Sequence, residues 1–276
     1  MRLFAAMLMG SLAAAAASAG TVGAKPKAGV ALATSATEVI ARNVAARGGA
    51  AAWERVETMV WFGHLERESK DAQRIPFVMQ LRRPNLTRFE LKEQFNQFTR
   101  IFDGTHGWKV RPSSDGRPET KPFSPEETNY AAREFVIDGP LIDYQAKGVA
   151  ADLDGLDFLE GRKTYRLSLR LPSGAERKVW IDTATNLEVR YDRPATNPLR
   201  PGAPVSVYYR HYEAVDGLQI ARSIETGVAA TGDARMQPPE KLVIDRVLIN
   251  PKLDDGTFAP PPMTLRRGGQ VRIPSS

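Results

Sequence analysis

The chain has 276 residues, 42% hydrophobic and 25% charged, with a formal net charge of +6 and no cysteine. This ordinary globular balance excludes wholesale disorder and suits one large domain or two small ones. The missing cysteines exclude disulfides, thiolate metal sites, cysteine nucleophiles and a lipid-modified N-terminal cysteine, and bases interleaved with acids (Glu66-Arg67-Glu68) argue against a nucleic-acid partner.

Arg2 precedes an apolar stretch from Leu3 to Ala17, followed by Ala17-Ser18-Ala19. Charged start, apolar middle and small-residue exit predict a signal peptide over residues 1–19, cleaved after Ala19. The stretch is shorter and weaker than the ~20 strongly apolar residues a bilayer span needs, and nothing later approaches that length. The mature chain is therefore expected to be periplasmic and not membrane-spanning. Residues 20–34 are small and aperiodic, a flexible lead-in. Ser35 with Glu38 forms a capping box, and Val39, Ile40 and Val44 give a helical stripe ended by Gly48-Gly49, which predicts a helix near 36–47. A short turn carries Trp53 and Val56.

From Glu57 the period becomes two. Ile75, Phe77, Met79 and Leu81 alternate with largely polar neighbours, as do Phe89 and Leu91, then Tyr165, Leu167 and Leu169, then Leu187, Val189 and Tyr191. This pattern, with turn signals such as Asp103-Gly104, Pro172-Ser173-Gly174 and Asp216-Gly217, predicts about ten or eleven antiparallel strands between Glu57 and Ile249. Ser124-Pro125-Glu126-Glu127 starts a helix over 125–134. The proline-rich residues 193–204 read as a long loop within one sheet, residues 38–259 as one domain, and residues 260–276 as an exposed basic tail.

No catalytic signature emerges. His64, His106 and His211 lie far apart and outside metal-ligand spacing, and the chain has no G-x-S-x-G, P-loop, H-E-x-x-H or dinucleotide fingerprint. Asp152, Asp154, Asp157 and Glu160 lack the ligand spacing and glycine of a calcium loop and read as solvated strand ends and turns. The sequence thus predicts a non-enzyme with no cofactor and no metal.

Large apolar side chains crowd the first half of the sheet. Phe77, Met79 and Leu81 must share one face, and Phe89 and Leu91 must share one; polar Gln80, Arg82, Arg88, Glu90 and Lys92 assign those faces to the dry, concave side. Trp61 belongs to a strand apolar on both faces. These six residues either fill the core beneath the helices or line a hydrophobic groove for an acyl chain. The sequence leaves both open.

Several stretches in order resemble the bacterial outer-membrane lipoprotein-sorting proteins, the LolA/LolB-like superfamily. They are Ala41–Gly49 followed by Trp53-Glu54-Arg55-Val56; Phe102-Asp103-Gly104-Thr105-His106-Gly107-Trp108; Ser124–Glu127; Gly161–Leu167; Trp180–Leu187; and Tyr209–Leu218. The resemblance covers about residues 38–259 and implies a mainly β (α+β) fold, a strongly curved antiparallel half-barrel with helices covering its concave face over a hydrophobic cavity. It implies a non-catalytic binder or carrier of an acyl chain, lipid or lipoprotein, with a transient envelope protein as a further partner. The alternative on the same fold is an envelope-stress sensor or interaction module with a filled core.

Overall fold

The chain is described here by a computed structural model covering residues 32–66, 73–94, 96–113, 117–134, 137–193, 204–228 and 240–261. The expected signal peptide, most of the lead-in, residues 194–203 of the proline-rich loop and residues 262–276 lie outside these. The fold belongs to the unit Ala33–Ser276.

Helix α1 (Ala36–Ala46) starts where the capping pattern places it: Ser35 Oγ accepts from the Glu38 N–H at 3.2 Å, and Glu38 Oε2 accepts from the Thr34 N–H at 2.9 Å. It buries Val39, Ile40 and Asn43. Its end is fixed by more than a left-handed cap. Gly48 has φ +112°, and a Cβ there would stand 2.4 Å from the carbonyl oxygen of Gly217, so the helix terminus docks directly on a strand hairpin. The Gln219 N–H donates to the Arg47 carbonyl at 3.1 Å across that junction. A single turn, α2 (Ala50–Glu54), follows and buries Trp53.

The sheet is built from two meanders. The first runs outward through β1 (Thr58–Glu66), β2 (Arg74–Arg82), β3 (Leu86–Glu93), β4 (Asn96–Phe102), β5 (Gly107–Pro112) and β6 (Pro118–Pro122). The second runs inward from the far edge through β7 (Ala150–Leu159), β8 (Arg162–Arg170), β9 (Glu176–Asp182), β10 (Glu188–Arg193), β11 (Val205–Val215), β12 (Leu218–Val228) and β13 (Glu240–Ile249). Antiparallel pairing of β1 with β13 joins them into one sheet, with β6 and β7 as its two open edges. Between the meanders the chain crosses from one edge to the other through α3 (Pro125–Glu134) and the turns of residues 137–148. That crossing, with α1 and α2, occupies the concave side.

There are thirteen strands, not ten or eleven. The two hardest to read are β6, with a proline at each end, and β7, whose acidic residues had suggested strand ends and turns. Burial alternates regularly along β7, but Leu156 and Phe158 fall on its exposed positions and Gly155 and Asp157 on its half-buried ones, so the apolar residues do not follow the period.

Two core clusters lie on the concave side. Trp53, Val56, Met59, Phe77, Ile142, Leu218 and Ile244 centre one; Val39, Ile40, Leu141, Tyr165, Leu167 and Ile181 centre the other. On the outer face, guanidinium groups cover aromatic rings: Arg246 lies 4.6 Å from the Phe62 ring, Arg190 4.4 Å from Trp180, and Arg210 5.1 Å from Tyr208. This explains how a strand apolar on both faces, β1, keeps a wet exterior.

The crossing is anchored by buried Asp138. Lys147 Nζ donates to its Oδ1 at 2.7 Å and Arg83 Nη2 to its Oδ2 at 3.0 Å, tying the 137–148 turns to the β2–β3 corner. Burial pushes the Lys147 ammonium below its ordinary range, against the opposing pull of Asp138. At the other end of the crossing, Glu127 closes the α3 capping box with Ser124 and accepts from Lys109 at 2.7 Å and Arg100 at 3.3 Å. Among the described residues no helix is long and apolar enough to cross a membrane.

Candidate hydrophobic cavity

The sheet curls enough that residues from β1–β4 and from β9–β13 face one another across a single cavity of about 770 Å³, within the ~300–1,000 Å³ typical of small-molecule sites. Helices and turns of the crossing form its remaining wall.

Cross-strand register builds the apolar side. Trp61 opposes Met79, and Met79 opposes Phe89; one step along, Leu81 opposes Thr87. Phe77 opposes Gly63 and Leu91. All six groove residues expected from the sequence therefore share the concave face, Trp61 included. Five of them, Trp61, Met79, Leu81, Phe89 and Leu91, line the cavity. Phe77 does not. It shares the core cluster with Met79 and Leu81, but its ring, 5.6 Å from that of Phe89, is pressed against Gly63, where an added Cβ would fall 2.9 Å from the ring. Gly63 also sits at a bulge, a Cβ there standing 2.0 Å from the Val243 carbonyl oxygen, which leaves Phe77 the space that any side chain would take. A smaller cleft of about 300 Å³, sharing Phe89, Leu91 and Arg100 with the main cavity, extends toward β5.

The opposite wall was not foreseen. Tyr209 and Tyr212 both line the cavity although a spacing of three should place them on opposite faces. His211, between them, has φ +55° and takes no partner, while the β11–β12 register is the same on either side of it (Arg210 with Ser223, Tyr212 with Ala221); the local left-handed kink, not a register slip, returns Tyr212 to the inside. Burial pushes the Tyr212 phenol far above its ordinary range, Glu188 adds to the rise and Arg47 opposes it, so the ring stays neutral. Val207, Ile224 and Leu242 complete the apolar surface here.

Polar groups ring the cavity, and most are already engaged. Arg47 donates to the Asp138 carbonyl at 2.9 Å, reaches Glu188 at 3.5 Å and stacks 4.5 Å from the Trp53 ring. Arg100 stacks 4.4 Å from Phe123 and Lys147 is held by Asp138. On the far side Arg193, the last residue of β10, lies over the Tyr130 ring of α3 at 4.7 Å. Its Nε and Nη1 are buried without a hydrogen-bond partner, as is Trp61 Nε1.

Neither cavity wall contains a histidine. His64 bonds Asp245 and Glu66, while His106 and His211 are exposed. The Asp154–Glu160 acids are engaged in pairs: Asp154 and Asp157 with Arg166 at 3.2 Å each, Glu160 with Arg210 at 2.7 Å. Among the described residues no group of three or more His, Asp or Glu side chains is placed to hold a metal. The arrangement can take up a long apolar ligand.

Compared with known proteins, the sequence matches no family model and no curated protein. The structure is similar to that of a LolA superfamily protein from Nitrosomonas europaea, with 10% identity, a TM-score of 0.53, and 83% of this chain and 99% of that one covered. It is also similar to a DUF1329 family protein from Desulfovibrio piger, with 11% identity, a TM-score of 0.50, and 80% and 96% covered. At such identities the likeness is one of fold.

Proposed function

We propose that the mature chain is an exported, non-catalytic envelope protein that holds an acyl chain or similar lipid tail in the concave cavity, as a binder or carrier. The observation that carries this reading is the cavity wall: about 770 Å³ of open space faced by Trp61, Met79, Leu81, Phe89 and Leu91 on one side and by Tyr209, Ile224 and Leu242 on the other. Apolar surface left facing such a space gains about 25 cal/mol per Å² when a hydrocarbon covers it. Export rests on the N-terminal pattern of residues 1–19. The LolA-like fold supports the reading without specifying a ligand. The near-complete burial of Met79 and Leu81 within the core cluster is what a filled core would also give; the open space that these side chains still face favours the cavity.

The test is uptake of the neutral dye N-phenyl-1-naphthylamine, followed by displacement with linear alcohols of increasing length. Affinity should rise about fourfold per added CH₂, from ~0.8 kcal/mol each, until the cavity is full. A chain that takes up no dye, or binds short and long alcohols alike, contradicts the proposal.

A further inference from the structure

Arg193 faces the cavity, and no described residue neutralises its charge. Arg193 lies on the same face of β10 as Tyr191, and both line the cavity. Its guanidinium carbon stands 4.7 Å from the centroid of the Tyr130 ring, so the flat face of the group is taken up by α3. The in-plane N–H donors are not. Nε and Nη1 are buried and lack any hydrogen-bond partner, and no carboxylate among the described residues lies within ion-pairing distance. The other cavity cations differ: Arg47 is met by Glu188 and the Asp138 carbonyl, Lys147 by Asp138, Arg100 by Glu127, and Arg177 donates to the Glu176 carbonyl. Arg210 is held between Glu160 and Glu225, and Arg222, which also buries an unpartnered Nη1, is nonetheless paired through Nε with Glu213; Arg193 has no such carboxylate among the described residues. Burying a charged donor without an acceptor is costly, and folded chains keep such a group where a ligand completes it.

We propose that Arg193 is the headgroup site of this cavity, and that the ligand is a single-chain or multi-chain amphiphile with an anionic oxygen-bearing head, a carboxylate or a phosphate. The free Nε–H lies on the side-on edge of the guanidinium and the free Nη1–H on its end, so each can donate to an oxygen of either group, and stacking on Tyr130 fixes the plane in which they point. The apolar tail then extends over the floor formed by Val207, Ile224 and Leu242, the strand rows adjacent to Arg193. Trp61 Nε1, buried and equally unpartnered, offers one further donor to an oxygen along the tail. This inference rests on the chain-binding reading above and specifies the ligand class within it.

The experiment measures displacement of N-phenyl-1-naphthylamine by hexadecanol, hexadecanoate and hexadecyl phosphate at pH 8, for the native chain and for Arg193→Gln. The native chain should prefer at least one anion over the alcohol by about tenfold or more, the size expected of hydrogen bonds to a charged group. Whichever anion is favoured identifies carboxylate or phosphate as the head. Arg193→Gln should lose that preference while binding hexadecanol within about twofold of the native chain, which also shows that the variant is folded. Should Arg193→Gln not fold, the preference of the native chain still decides. Equal binding of alcohol and both anions by the native chain, or a preference that survives Arg193→Gln, overturns the headgroup assignment alone. Failure of the dye and all three ligands to bind overturns the chain-binding reading with it.

Discussion

Phe77 and Met79 are neighbours on one face of β2, both nearly fully buried at 3% and 5% exposure, yet they should answer differently to substitution. Phe77 is enclosed by Phe89, Gly63 and the core cluster and does not reach the cavity, so Phe77→Ala leaves a void that rigid strands on both sides cannot close. Truncations of this kind cost about 3–5 kcal/mol. At ~2–4 °C per kcal/mol for a domain of this size, a loss of about 4 kcal/mol lowers Tm by roughly 8–16 °C. Met79 presents its side chain to the open cavity between Trp61 and Phe89. The amide of Met79→Gln can be hydrated there, and the change should cost about 1 kcal/mol or less, roughly 2–4 °C of Tm. Uptake of a neutral alkyl ligand should fall about fivefold in Met79→Gln, from ~1 kcal/mol of lost apolar contact. Circular dichroism melts and dye titrations on the two purified variants measure both quantities. If Met79→Gln is as destabilising as Phe77→Ala and leaves dye uptake unchanged, the division of this strand into core and cavity positions is wrong.

Asp138→Asn removes the carboxylate that both Lys147 and Arg83 contact at the root of the crossing; breaking one side of such a buried arrangement should cost about 3 kcal/mol, read as a fall in urea midpoint, and an unchanged midpoint refutes the anchoring role. Gly48→Ala forces a side chain onto φ +112° and against the Gly217 carbonyl, so it should destabilise by more than about 1 kcal/mol, while alanine at the equally helix-terminal but less crowded Gly49 should cost less. The pH dependence follows from three carboxyls held below their ordinary range. Lys241 lowers Glu66 and Arg210 lowers Glu160; burial pushes Glu127 up but is outweighed by Lys109, the Ser124 N–H and Arg100. Groups with depressed folded values contribute stability that is present above the unfolded glutamate value, about 4.3, and lost as pH falls through the folded ones. Tm should therefore drop steadily below about pH 4, and Glu127→Gln should flatten that drop; an identical acid slope in the variant contradicts it.

Much of the fold was legible because its signals are local. The capping patterns at Ser35 and Ser124 position α1 and α3 to within a residue, and the alternation in β2, β3 and β8 gives both strand and face. What the sequence concealed lies where a local period is broken or uninformative. Trp61 and Phe62 alternate regularly along β1 and are both apolar, so only the pairing of Trp61 with Met79 tells that Trp61 goes inward and Phe62 outward beneath Arg246, and the kink at His211 brings Tyr209 and Tyr212 to one wall. A three-residue spacing in a strand carries no warning of this, since His211 has nothing in its chemistry that demands a positive φ. Arg193 was hidden for another reason. Its proposed role depends on a ring from α3, 63 positions earlier in the chain, and on the lack of a carboxylate partner among the described residues; neither leaves a mark in the residues around it. Gly48-Gly49, by contrast, was read as a helix stop, and the structure adds the close approach to Gly217 as a second demand on the same residue.

The account stands on the cavity being occupied by a lipid in the cell. Native mass spectrometry of the chain, expressed with its own N-terminal sequence in a Gram-negative host and purified from the envelope without detergent, tests this directly. The account predicts a mature protein beginning at Gly20 that carries one or more amphiphile adducts, released on collisional activation and depleted by Arg193→Gln for anionic species. A clean apo mass under gentle conditions, from protein that also fails to take up dye, would contradict it.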